Sequence, residues 1–314
     1  MDRAPDHPKT WLIAGLVLLC ISVVTWRPLF PGPVVDFIDV GHGDATFIRT
    51  PAGETLLVDG GDRSPYMDYG SAVVVPFLLS HGVTYLDYVI ITHFDRDHMG
   101  GLFYVLERIR VGEVLLPWYQ EGKQLENEFI THCTALKIPL RRIAIGDEVP
   151  LIGASMDVLH PPKTGWESKS SNEQSLVFML QWCGLNIVLP GDAESEAEAR
   201  VAQQVDRADI LKAGHHGSHT SSSALFIDAI QPRYAIVSTR GSARRQGVHP
   251  EVRRRFDERD IPLWRTDFHG GIRLQPLGSE YQLHGARHAR GYSLDPAWYN
   301  RASLSDDAVV GIGQ

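Results

Sequence analysis

Cysteine is scarce in this 314-residue chain: Cys20, Cys133 and Cys183 are the only three, and none sits in a CxxC spacing. That excludes a disulfide framework or a zinc knuckle and leaves three packing residues. A repeat of fixed period is missing too, which excludes solenoids and propellers. So is a net positive charge. The formal balance is −8, which argues against a protein that coats nucleic acid through its overall field. Long apolar runs are also wanting. The one substantial stretch, Trp11 to Trp26, has sixteen residues, slightly short for a membrane span and longer than most signal-peptide cores.

That stretch is uncharged, bracketed by Lys9 and Arg27, and followed by Pro28, Pro31 and Pro33. Tryptophans at both ends suit the two water–lipid interfaces, and no A-x-A cleavage site follows. A retained membrane anchor is the first expectation, an uncleaved or cryptic signal peptide the second, and a buried core helix the third. Arg3 and Lys9 against Arg27 give a faint positive-inside bias that puts the following domain outside the cytoplasm. Residues 1–33 therefore read as an anchor or signal-like segment plus a Pro-rich linker, 34–285 as the main domain, and 286–314 as a tail without periodicity, poorly ordered or a small appendage.

Within 34–285 short apolar runs alternate with amphipathic helices. Strands are expected at Val34–Val40, Ala45–Thr50, Thr55–Asp59, Tyr88–Thr92, Glu113–Pro117, Leu140–Ile145, Ser155–His160, Ser175–Trp182, Leu185–Pro190, Ile210–Ala213, Tyr234–Ser238 and Gly271–Leu277. Helices are expected at Gly70–His81, Gly101–Ile109, Lys123–Lys137, Glu194–Val205, Ser222–Ile230 and Pro250–Arg259. The frequency of hairpin-type turns argues against a purely parallel doubly wound sheet. Mixed sheets with helices outside fit better, an α/β (α+β) class.

Four places put a metal-ligand type directly after a strand: His93/Asp95/Asp97/His98, Asn172, Asp192 in Leu189-Pro-Gly-Asp192, and His215-His216-Gly-Ser218. Imidazole with carboxylate suits zinc, manganese or iron better than magnesium or calcium. Strand ends on one sheet edge can converge, and this set supplies ligands for two metals with one bridging carboxylate. Two such metals share a hydroxide, lower its pKa and polarise a phosphoryl or carbonyl oxygen. Taken alone, Asp192 would be a helix N-cap and a single His in a Gly-Ser turn a polar loop residue. The HxDxDH run behind a strand is the segment a solvated loop does not explain.

Charge is unevenly spread. From Arg233 to Arg290 there are twelve Arg, no Lys and six acidic residues, a local balance of +6. This third of the chain could receive a polyanion, or could simply present a solvated helix face around Arg253-Arg254-Arg255.

Five passages resemble the metallo-β-lactamase-fold hydrolases, and specifically the branch at the C-terminus of the ComEC DNA-uptake proteins: Phe37-Ile-Asp-Val-Gly-His-Gly-Asp-Ala45, Leu57-Val-Asp-Gly-Gly61, Thr92-His-Phe-Asp-Arg-Asp-His-Met-Gly-Gly101, Leu189-Pro-Gly-Asp192 and Leu211-Lys-Ala-Gly-His-His-Gly-Ser218. Weaker echoes are Gly247-Val-His-Pro250, Arg265-Thr-Asp267 and Gly270-Gly271. The resemblance runs from about Val34 to Leu277. It implies an αββα sandwich of two mixed β-sheets with helices outside, here preceded by one N-terminal hydrophobic helix.

It also implies two divalent metal ions, zinc or manganese. His93 and Asp95 would hold the first and Asp97 and His98 the second, with Asp192 bridging and His215 added from the HHGS motif. His216 is the alternative ligand there; the partner left over would contact phosphate or donate a proton. Asn172 stands where many relatives place a His, and Asp95 replaces a more usual His. Both changes harden the first site and bring manganese beside zinc. Asp59 resembles the family's early Asp, with fixing a turn and orienting a ligand His by a hydrogen bond as the simpler reading. His42 departs from the expected Gln, while Asp44 fits, and both would line the cleft mouth. His249 and Asp267 would approach from the C-terminal third or stabilise turns. Asp97, Asp192 and His216 are the residues expected to carry catalysis.

The function implied is hydrolysis of a phosphodiester, DNA in the ComEC manner, with Arg240, Arg244 and Arg245 on the phosphate backbone and Trp118, Tyr119 and Trp264 stacking bases or packing in the core or at the rim. The partners would be DNA, and the membrane through the N-terminal segment. Two alternatives stand beside it: hydrolysis of a small phosphoester or lactone, and a non-catalytic metal-binding module that docks nucleic acid or a partner.

Overall fold

Val34–Phe37 (β1), Thr46–Arg49 (β2) and Thr55–Val58 (β3) form an antiparallel meander joined by Gly-containing turns. The computed structural model describes residues 31–118, 122, 124–166, 169–241, 247–277, 280–286 and 307–311. Tyr85–Ile90 (β4), Arg110–Pro117 (β5) and Leu140–Ile143 (β6) then add to β3 in parallel. Ile272–Leu277 (β14), Glu280–Gly285 (β15) and Asp307–Gly311 (β16) extend the other side of β1 antiparallel, giving a nine-stranded sheet in the order β16-β15-β14-β1-β2-β3-β4-β5-β6.

The second sheet has seven strands, β13-β12-β11-β10-β9-β8-β7. Glu148–Val149 (β7), Ala154–His160 (β8), Val177–Trp182 (β9) and Leu185–Leu189 (β10) are antiparallel neighbours. Ile210–Lys212 (β11), Tyr234–Val237 (β12) and Leu263–Arg265 (β13) continue from β10 in parallel. Both sheets are thus mixed.

One apolar cluster, including Phe37, Ile48, Ile90, Phe178, Trp182, Ile187, Ile210 and Trp264, draws residues from both sheets. Two further clusters join each sheet to its outer helices: Phe47, Val89, Leu102 and Phe129 on one side, and Val188, Val201, Phe226 and Phe256 on the other. Parallel strands covered on both faces need apolar residues at nearly every position, which is why Val89-Ile90-Ile91 and Val114-Leu115-Leu116 read as unbroken hydrophobic runs.

Several expectations are adjusted. The helix expected to Val205 ends at Val201 in a turn. Gly70–His81 opens with a π-helical turn, Gly70–Val74, before the α-helix Val75–Ser80. β13 is three residues long, too short to show a period. The chain end does not remain without structure: Asp307–Gly311 is the edge strand beside β15. The Trp11–Trp26 segment, Tyr119, Arg244 and Arg245 lie outside the described residues. Among the described residues no helix is long and apolar enough to cross a membrane.

Candidate metal centre

The parallel strands all end on the same edge of their sheets, where loops can carry polar groups without breaking the ladders. β3 runs out into Asp59, β4 into Thr92-His93, β10 into Pro190-Gly-Asp192 and β11 into Gly214-His215. Two glycines permit the convergence. Gly43 has φ 136°, and a Cβ there would come within 2.4 Å of the Asp97 carbonyl oxygen, so only glycine lets the Asp44 loop approach that backbone. Gly191 has φ 56°, and a Cβ would lie 2.8 Å from Thr92 Cβ.

Asp192 stands at the centre. Its Oδ1 is 3.1 Å from His98 Nε2, and its Oδ2 is 3.6 Å from His216 Nε2 and 3.9 Å from both His93 Nε2 and His215 Nε2. The surrounding residues fall into two groups. In the deeper one, His216 Nε2 lies 3.2 Å from Asp97 Oδ2 and 3.2 Å from His98 Nε2. In the more open one, His93 Nε2 is 3.8 Å from Asp95 Oδ2, whose side chain is 41% exposed.

The His215-His216 turn explains how adjacent residues reach different groups. His215, His216 and Gly217 have φ of 48°, 51° and 80°, three left-handed residues in succession. For the two histidines this conformation costs about 1–3 kcal/mol each. It sets their rings 6.3 Å apart at 71°, with His216 buried and His215 29% exposed.

Carboxylates and carbonyls behind the rings fix their orientation. Asp59 accepts from Thr92 N at 2.9 Å and Thr92 Oγ1 at 2.7 Å, and its Oδ2 lies 2.8 Å from His98 Nδ1. His216 Nδ1 is 3.2 Å from the Ser238 carbonyl. In both rings the other nitrogen is left facing Asp192. Behind His216, buried Asp44 pairs with buried Lys212 and approaches His216 Nδ1 to 3.7 Å.

Glu194 is a residue the motifs did not single out. Its Oε1 is 3.2 Å from His215 Nδ1 and accepts from Asn172 Nδ2 at 3.3 Å. Glu194 occupies the N-cap of the helix Ser195–Val201 but does not cap it; Glu173 does, accepting from Glu196 N at 3.0 Å and Ala197 N at 2.7 Å. That arrangement leaves both Asp192 and Glu194 turned to the histidines. An acidic residue at a helix start ordinarily signals a dipole partner, so the sequence carries no separate mark for it. Asn172, expected where relatives place a His, donates its Nδ2 to Glu194 Oε1.

The electrostatics call for positive charge. Burial opposes ionisation of Asp192, yet His98 and His216 outweigh it and hold its pKa well below the usual range. Asp97 is likewise lowered: burial raises it, while the His216 hydrogen bond and the His98 charge prevail. Burial also works against a charged His98, but Asp192 and Asp59 raise its pKa well above normal; His216 is raised in the same way by Asp192 and Asp97. His93, dominated by burial and then by His98, goes down. Its Nε2 is buried without a hydrogen-bond partner, as is Asp44 Oδ1. A buried nitrogen lone pair facing two carboxylates is costly as a hydrogen-bond orphan. It suits a metal ion, so the residues present fit the implied cations.

The remaining expected residues separate. His42 is at the mouth, its Nε2 3.9 Å from Asp97 Oδ2 and its ring 4.6 Å from that of His216. Arg240, exposed, donates to Tyr69 Oη at 3.2 Å above Gly41. His249 instead caps the helix Pro250–Asp257, accepting from Glu251 N at 3.3 Å. Asp267 accepts a two-pronged contact from Arg265 at 2.9 and 2.6 Å. Trp264 is 7% exposed within the core and cannot receive a base. The Arg-rich third is largely self-neutralised: Arg233, Arg253, Arg254, Arg255, Arg259, Arg265 and Arg273 each face an Asp or Glu.

A family model described as the metallo-β-lactamase superfamily matches residues 38–117, from the end of β1 through the His93 motif to β5. The chain belongs to the metallo-β-lactamase superfamily. Members of this superfamily are typically hydrolases, and the chain's relatives lie among ComEC-like competence proteins. It is 30% identical over 255 residues to ComE operon protein 3 of Bacillus subtilis (strain 168), covering 77% of this chain and 33% of that protein. It is 27% identical over 274 residues to Recombination protein 2 of Haemophilus influenzae, covering 87% of this chain and 33% of that protein. The chain thus spans about a third of the length of these relatives. Among solved structures, CmlA, a diiron β-hydroxylase from Streptomyces venezuelae, superposes with a TM-score of 0.53 at 17% identity, covering 78% of this chain and 54% of CmlA. That likeness concerns the metallo-β-lactamase fold alone.

Proposed function

We propose that this metallo-β-lactamase-fold chain is a metal-dependent phosphodiesterase that acts on DNA. The observation that carries the dinuclear part is Asp192, one carboxylate within 3.9 Å of four histidine nitrogens. His93, Asp95 and His215 would hold one cation; Asp97, His98 and His216 would hold the other, with Asp192 between them. Two bound cations, zinc or manganese, would supply an activated water and a polarised phosphoryl oxygen. His216 is thereby read as a ligand, with Asp59 and Ser238 fixing the deep rings and Glu194 fixing His215.

At the mouth, Arg240 offers a phosphate contact and His42 a proton for the departing alkoxide. The DNA reading draws on the relatives and on Arg240 above the site. The ion pairing of the other C-terminal arginines favours the second reading, a small phosphoester. Residues 34–285 would form the hydrolytic domain, with 1–33 anchoring it at the outer face of a membrane.

The test uses the full chain: metal analysis, then assay with manganese or zinc on single-stranded DNA, duplex DNA and a generic phosphodiester, with Asp97→Ala and Asp192→Ala as controls. About two metals per chain and DNA cleavage lost in both controls is the expected result. Cleavage of the generic ester without DNA overturns the nuclease reading, and a chain that takes up no metal overturns the dinuclear one.

A further inference from the structure

Trp118 stands at the end of β5, and 40% of it is exposed. β4 and β5 are parallel with Ile90 opposite Leu115, a register that, continued past the end of β4, pairs Trp118 with His93. The two loops are tied together: Arg142 donates to the Pro117 carbonyl at 2.9 Å, and its guanidinium lies 5.8 Å over the ring of Phe94, between His93 and Asp95.

The indole is held in place. Its Nε1 donates to the Lys163 carbonyl at 3.0 Å, Lys163 Nζ lies 5.1 Å over the ring, and that ammonium is fixed by Asp147 at 2.7 Å. With Lys163 over one face, the exposed remainder of this oriented indole is left for a base, and an aromatic with a cation against it is a pairing that proteins use to stack a base and hold its phosphate. Exposed Asp95 opens this side of the centre. On the other side, next to His42 and Asp97, Arg240 with Tyr69 supplies a second cation.

We propose that Trp118 and Lys163 form a base-stacking platform on the open side of the centre, and that the site takes a single-stranded polynucleotide laid between this platform and Arg240. The proposal rests on the nuclease reading for its chemistry, and on the Trp118 geometry for its substrate. A single strand is selected over a duplex because a base must leave its stack to lie against the indole. Cations on both sides select a polyanion over a neutral glycan, the other polymer that tryptophan faces bind.

The experiment compares full-chain wild type, Trp118→Ala, Trp118→Phe and Lys163→Gln. It measures anisotropy of a fluorescein-labelled oligothymidylate and manganese-supported cleavage of that oligonucleotide, of its duplex with oligoadenylate, and of a small aryl phosphodiester. Trp118→Ala should weaken oligothymidylate binding roughly tenfold or more, with a loss on the aryl diester smaller by about the same factor. Trp118→Phe should recover most of the binding, although it cannot donate to the Lys163 carbonyl; Lys163→Gln should be intermediate.

Equal losses on polymer and small ester, or Trp118→Phe as impaired as Trp118→Ala, would show a merely structural indole and overturn the platform. Tighter binding of duplex, or of a neutral chitin oligomer, would overturn it as well. Intact cleavage with unmoved affinity removes the platform and leaves the nuclease reading. Oligonucleotide binding that depends on Trp118 without any cleavage removes the nuclease reading and leaves the platform.

Discussion

The two ligand groups proposed above to share Asp192 are built differently. The deep half, Asp97/His98/His216, has both imidazoles buried and oriented from behind by Asp59 and the Ser238 carbonyl. The open half, His93/Asp95/His215, has an exposed carboxylate and a histidine turned toward Glu194 and Thr220 at the rim. Asp97 and His215 are equally exposed, at 29%, and His93 is fully buried, so the contrast lies in the exposed Asp95 and in the support behind the His98 and His216 rings. The difference follows from position: His98 sits on the first turn of a helix packed under the β3 end, whereas His215 stands on the outer side of a left-handed turn.

Removing what the halves share should have the largest effect. Asp192→Ala is expected to lower metal content below two per chain by plasma emission spectrometry, and to reduce turnover by at least about 10²–10³-fold. Retention of both metals would mean that each half stands alone.

Next is the metal-free protein. His98 and His216 have folded-state pKa values raised above the ordinary histidine value of 6.5. Their contribution to stability is therefore complete below about pH 6.5 and lost as pH rises through the raised values. Melting followed by circular dichroism should show the chelated protein losing Tm on that rise, with added manganese or zinc abolishing the slope. The lowered Asp97 and Asp192 act in the opposite sense, lost only as pH falls below the ordinary carboxylate value of 3.8. A chelated protein with a flat Tm through the alkaline rise would refute the charge balance assigned to the deep half.

The smallest effect sharpens the contrast between the halves. Asp59→Asn should weaken the tighter of two metal affinities by about 10–100-fold. Glu194→Gln should weaken the looser one by less, because the exposed rim screens it. Competition with a chromophoric chelator separates the two steps; the reverse order would mean that the open half binds first.

Much of this was visible in the chain. The apolar runs before His93 and Asp192 marked strands, and the ligand types behind them marked strand ends able to converge. Less visible were β13, three residues long, and β16, which belongs to the nine-stranded sheet only by pairing with β15. For His249 and Trp264 the chain left two readings open, because a histidine before a proline and a tryptophan in a short strand look alike either way; His249 caps a helix and Trp264 packs in the core.

By itself, the sequence determined the ligand inventory, because imidazole and carboxylate chemistry is a property of residue type. It also determined the strand-then-ligand order, because hydrophobic periodicity is local. Only the tertiary structure decided the partition. His215 and His216 both approach Asp192 Oδ2, at 3.9 and 3.6 Å, but a left-handed turn splays their rings, so that His215 presents its other nitrogen to Glu194 and His216 to the Ser238 carbonyl. Asn172 donates to Glu194, and Glu173, not Asp192, accepts from the first backbone N–H groups of the helix after β10. The contacts of Asn172 and Glu173 join the segment before β9 to the helix after β10, which meet only when those two strands pair.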